Sequence, residues 1–124
     1  MNEPSREVYK QWATLAFQQY GLYGEPDDPK PDGYESETIF MNLRSVAIVL
    51  SILRDEGKTI VADALRDIYI QPFPENGRMR RVIDSRVIKF SETHFVSTSS
   101  VYRYLRDARR LFVSVRLLAK ESQN

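Results

Sequence analysis

Cysteine is absent from this 124-residue sequence, and histidine occurs once, as His94. Without cysteine the chain has no disulfide, no thiolate zinc site and no cysteine nucleophile. The lone histidine has no second histidine at metal-binding spacing, and the five glycines are scattered rather than grouped in a phosphate-binding loop. We therefore expect a protein that is not an enzyme and that holds neither a metal nor a cofactor.

Long apolar runs are missing as well. The longest strongly apolar stretch, residues 46–53, contains Ser51 and is far shorter than the roughly 20 residues that span a bilayer. The beginning of the chain is polar and charged, which is unlike a secretory signal. The expectation is a soluble, cytoplasmic protein without a membrane partner.

The net charge of +1 conceals two halves of opposite sign. Residues 1–70 contain seven Lys or Arg and twelve Asp or Glu, whereas residues 71–124 contain eleven and five. Ten of those eleven positive residues fall between Arg78 and Arg116. Such segregation favours a surface that binds a polyanion, although a solvated basic helix face would have the same composition.

Apolar residues recur every three or four positions along the chain, and no segment alternates as a strand would. This pattern predicts an all-α fold of about five helices in one compact domain. The predicted helices span residues 4–20, 36–56, 59–70, 78–90 and 98–120. Gly21 is expected to end the first helix, and residues 21–35, rich in proline, glycine and acidic side chains, are expected to form an acidic loop. The chain then divides into an N-terminal helical part, 1–70, and a basic part, 71–124.

The basic part has the pattern of a helix-turn-helix followed by a long last helix. The short polar stretch 91–94 predicts the break between its two helices. Ser97 is placed to cap the last helix, with Val96 and Val101 at the two positions of a hydrophobic staple. A helix start with small hydroxyl side chains, followed one turn later by arginines, is what a recognition helix in a DNA major groove requires.

The predicted DNA contacts form two groups. On the tip and outer face of the last helix they are Thr98, Ser99, Ser100, Tyr102, Arg103 and Arg106. On the preceding helix, which would brace the recognition helix and cross the DNA backbone, they are Arg80, Arg81, Arg86 and Lys89. We expect the first group to read base edges and the second to contact phosphates.

The run 95–112, FVSTSSVYRYLRDARRLF, resembles the end of phage transcription regulators of the ArpU and RinA type, which in turn resemble region 4 of sigma factors. Their pattern is a hydrophobic residue, a serine cap, a variable polar pair and V-Y-R-x-x-x-x-A. It is matched here by Val96, Ser97, Val101, Tyr102, Arg103 and Ala108. The segment ALRDIYI, residues 64–70, resembles the helix that precedes the helix-turn-helix in such proteins, but a longer basic stretch then follows.

The resemblance implies a sequence-specific regulator that binds double-stranded DNA and is encoded by a phage or prophage. It further implies control of late genes, as an activator or antiterminator, with RNA polymerase as a second partner. We also expect a homodimer through residues 112–118 of the last helix, because regulators commonly gain specificity from two half-sites. The alternative is a helical protein-interaction module without DNA binding, whose acidic half docks a basic or apolar partner and whose basic helices bind an acidic protein.

Overall fold

The computed structural model describes residues 6–26, 34–75 and 77–122. Within these ranges the chain forms five helices and no strand. The helices are α1 (Arg6–Tyr23), α2 (Tyr34–Asp55), α3 (Thr59–Ala64), α4 (Met79–His94) and α5 (Thr98–Ser122). Without a break, α3 continues as a π-helical segment, Leu65–Ile70. The predicted all-α fold and the long last helix are confirmed.

The end of α1 differs from the prediction. The helix continues through Gly21 to Tyr23, and Gly24, with φ 73°, follows it in the left-handed conformation. Gly21 is needed for another reason, because a Cβ atom there would lie 1.9 Å from the carbonyl oxygen of Ile70. Its missing side chain lets α1 and the π-helical segment approach each other closely. Of the predicted acidic loop, residues 21–35, the first three belong to α1 and the last two to α2, and residues 27–33 lie outside the described residues.

The end of α4 differs too, since residues 91–94, predicted to be the break, are helical. Their polar side chains bond back to the helix: the Thr93 hydroxyl donates to the Lys89 carbonyl, and the His94 ring lies 3.1 Å from the Phe90 carbonyl oxygen. The helix ends at Phe95, whose φ of 56° is left-handed. The turn therefore consists of the three residues between α4 and α5.

The core is shared by every helix of the described chain. Phe17 of α1 lies at its centre, with its ring stacked 5.6 Å from that of Tyr69 and edge-on at 5.6 Å from that of Phe112. Trp12 packs its edge against Phe112 at 5.8 Å. These ring contacts join α1 and the π-helical segment to the middle of α5. Among the described helices, none is both long enough and apolar enough to cross a membrane.

Candidate nucleic-acid interface

The start of α5 is defined by its cap. The Ser97 hydroxyl oxygen accepts a hydrogen bond from the Ser100 backbone N–H at 3.1 Å, which is the interaction of an N-cap. Val101 is fully buried, and Val96 packs against the same core cluster. The predicted cap is confirmed, and the helix enters the fold with its first turn facing solvent.

The exposed tip of α5 carries the residues predicted to read bases. Thr98, Ser99, Arg103 and Arg106 are exposed, and Ser100 is half-buried. Arg103 donates a hydrogen bond from Nη2 to the Ser100 hydroxyl at 3.1 Å, which holds its guanidinium beside the helix start. Hydroxyl groups, free helix N–H groups and an arginine thus lie within the first two turns, a combination suited to phosphate and base-edge contacts.

Tyr102 lies on the same face, but its hydroxyl already has a partner. It donates a hydrogen bond to the Asp84 carboxylate of α4. This bond, together with partial burial, raises the pKa of Tyr102 from 10.0 to about 12. The pair joins the first turns of α5 to α4, so the Tyr102 hydroxyl holds the two helices together.

The cations of α4 divide into two kinds. Arg80, Arg81 and Lys89 are exposed, as expected of phosphate contacts. Arg86, predicted to be one of them, turns inward instead and donates to the backbone carbonyls of Ile68, Gln71 and Pro72. Desolvation lowers its pKa, which agrees with this sheltered position.

A cleft of about 1280 Å³ separates the tip of α5 and the start of α4 from α1. The cations that line it are Lys10, Arg80, Arg103, Arg106 and Arg109, against the carboxylates Glu7 and Asp84. At its floor Arg109 donates to the Tyr69 hydroxyl at 2.8 Å. Among the residues that the structure describes, the lining of the cleft is therefore net positive beside Ser99, Arg103 and Arg106 of the predicted recognition face.

Lys10 and Arg109 were not predicted as site residues. Lys10 belongs to the net acidic half of the chain, and nothing local in the sequence indicates that α1 packs beside α5. Arg109 was recognisable, because it follows Arg106 by one helical turn, but its position between two helices was not. Comparison with protein-family models, curated proteins and solved structures finds no match to this chain.

Proposed function

We propose that this protein binds double-stranded DNA in a sequence-specific manner and regulates transcription, with the start of α5 as the recognition helix. One observation carries the proposal. The capped, hydroxyl-bearing start of α5 presents Arg103 and Arg106 to solvent, and Arg80 at the start of α4 lines the same cleft, with the exposed Arg81 next to it in the chain. This distribution has base-reading groups on one helix and backbone-binding cations on the helix before it.

The finer parts of the proposal come from the resemblance to regulators of the ArpU and RinA type. The protein would act in the cytoplasm, be encoded by a phage or prophage, and work with RNA polymerase. A homodimer through the last helix is part of the same proposal. Phe112 is fully buried, so it takes no part in the dimer contact. Within residues 112–118 the contact would involve exposed side chains, such as Leu117 at 37% and Leu118 at 63% exposure.

The test begins with selection of duplex DNA from a random pool by the purified protein. Arg103→Ala is expected to weaken binding to the selected site by about 1–3 kcal/mol and to relax its base preference. Arg81→Ala is expected to weaken selected and unrelated duplexes alike, and to reduce the slope of log K against log salt by about one unit. Binding titrations at several salt concentrations measure both effects.

Two results would count against the proposal. Failure to bind any duplex pool at low salt would remove it altogether. If Arg103→Ala and Arg106→Ala both left base preference unchanged while Arg81→Ala abolished it, α4 rather than α5 would be the reading helix.

The competing function, a protein-interaction module, is favoured by a different observation. Phe95 is 95% exposed in the turn between α4 and α5, where a left-handed residue is normally glycine. An exposed ring in this conformation suits contact with an apolar partner surface. The module predicts no steep salt dependence with duplex DNA, so the same titrations distinguish the two functions.

A further inference from the structure

A second basic groove, of about 420 Å³, lies between the first two turns of α1 and the middle of α5. Its cations are Arg6, Lys10, Arg106, Arg109 and Arg110, and Glu7 is the carboxylate among the described residues that line it. Lys10, Arg106 and Arg109 also line the larger cleft, so the groove continues it. The positive surface therefore runs from α4 across the tip of α5 to the start of α1.

The charges of this groove have few partners inside the protein. Arg106 pairs with Asp107 at 3.7 Å on the exposed surface, and Arg109 is bound to Tyr69. Arg6, Lys10 and Arg110 form no ion pair with any residue that the structure describes. Arg106 and Arg110 are also one helical turn apart, a spacing at which like charges repel. An arrangement of this kind is stabilised when an anion occupies the groove.

We propose that this groove binds phosphates of the DNA backbone beyond the base pairs read by the tip of α5. The inference rests on the proposed function and adds α1 to the DNA-binding surface. Arg103, Arg106 and Arg110 recur along one face of α5 over about 10 Å, given 1.5 Å per residue. Arg106 and Arg110 of this row line the groove, so phosphates beyond the base pairs that Arg103 contacts can be bound one helical turn further along α5.

Duplex DNA is favoured over an acidic protein because the groove is continuous with the proposed reading face. A strand that leaves the tip of α5 meets Arg106 and then the groove, where α1 supplies Lys10 and Arg6 from the opposite wall. The wall supplied by α1 has no part in base reading. Its loss should therefore change affinity and salt dependence without changing sequence preference.

The test compares two double variants that remove the same charges. Arg6→Gln with Arg110→Gln alters two cations that line the groove but not the larger cleft, whereas Arg54→Gln with Lys58→Gln removes an exposed arginine and lysine that line neither cavity. For the groove variant, the slope of log K against log salt with duplex DNA is expected to fall by about two units, at about 0.9 per lost phosphate contact. Base preference should stay as in the wild type, and the control variant should keep the wild-type slope.

Circular dichroism and thermal unfolding check that both variants keep the fold. Arg6→Gln alone, at the first residue of α1, is expected to reduce the slope by about one unit. If the wild type binds duplex DNA and the groove variants keep its full slope, the groove inference is overturned while the proposed function stands. If the wild type binds no duplex at low salt, both are overturned.

Discussion

At the scale of single residues, Tyr102 has a role that its position on the helix did not reveal. It was expected to face DNA, and it does lie on the exposed side of α5 with 43% of its surface accessible. Its hydroxyl nevertheless binds Asp84 across the gap between α5 and α4. Because the hydrogen bond requires the protonated phenol, the contact between the two helices depends on pH.

The stability of the protein should therefore decline in alkali in a way that Tyr102 controls. The pKa of Tyr102 is raised from 10.0 to about 12 in the folded chain, so its contribution is complete below pH 10 and is lost as pH rises towards 12. Tyr102→Phe should lower stability at neutral pH and remove this part of the alkaline decline. Urea unfolding across that pH range measures it.

Absorbance titration of tyrosinate is the independent check on this assignment. The wild type should contain a tyrosine that ionises near pH 12, and Tyr102→Phe should lack it. Asp84→Asn, which removes the carboxylate acceptor, should bring the pKa of Tyr102 back towards 10. An unchanged titration curve in either variant would contradict the role of the pair.

At the scale of elements, the junction between the π-helical segment and α4 depends on Arg86. The segment ends at Ile70, and its last carbonyl groups have no partner within the helix. The Arg86 guanidinium donates to the Ile68 carbonyl at 2.9 Å and to that of Gln71 at 3.2 Å, and it lies 4.4 Å from the centre of the Phe73 ring. Arg86, which belongs to α4, thus caps the C-terminal end of the π-helical segment. This contact holds α4 with Arg80, Arg81 and Lys89 exposed to solvent.

Arg86→Gln is expected to lower the free energy of unfolding by about 2 kcal/mol, because the charge-assisted hydrogen bonds to the backbone carbonyls of Ile68, Gln71 and Pro72 are lost. The slope of log K against log salt for duplex DNA should not change, because the Arg86 guanidinium is bound to carbonyl groups of the protein. Arg81→Gln is the matched control: on an exposed site it should alter stability by no more than about 0.5 kcal/mol but lower that slope by about one unit. Urea denaturation measures the stability of the two variants, and salt titration measures the slope. If Arg86→Gln left stability unchanged and lowered the slope, Arg86 would contact phosphate rather than the protein.

At the scale of the whole molecule, a buried polar network holds α5 against both α1 and α2. Arg116, 7% exposed, donates from Nε to the Asn42 side-chain oxygen at 3.0 Å, and its guanidinium lies 5.5 Å from the centre of the Trp12 ring. Asn42 in turn donates to the Gln19 side-chain oxygen at 3.0 Å. The network lies towards the opposite end of α5 from the recognition face, and it connects α5 to both α1 and α2.

Replacing either Asn42 or Arg116 should remove the 3.0 Å hydrogen bond between them and leave the remaining atom of that bond in a buried position. Asn42→Leu and Arg116→Met are each expected to lower the free energy of unfolding by about 2 kcal/mol. The double variant should lose less than the sum, with a coupling of about 1 kcal/mol, because the hydrogen bond between Arg116 and Asn42 can be lost only once. Strictly additive losses in a double-mutant cycle would mean that the two side chains act independently.

The sequence by itself determined those features that depend on neighbours within a turn or two. Apolar spacing predicted each helix, and the serine before the last one predicted its cap at Ser97, because capping involves residues only three positions apart. Segregated charge also predicted a basic surface on the second half. The helix ends were predicted less well. Residues 91–94 were expected to end a helix, but they continue it, and the side chains of Thr93 and His94 contact backbone carbonyl groups of the same helix.

Only the tertiary structure decided what depends on residues far apart in the chain. Gly21 is required by the carbonyl of Ile70, and Arg86 faces inward because unsatisfied carbonyl groups lie beside it. Lys10, from the acidic half, joins the basic groove because Trp12 and Phe17 pack α1 against Phe112 of α5. The physical reason is that periodicity states which face of a helix is buried, whereas the partner of that face is chosen by the packing of all the helices together.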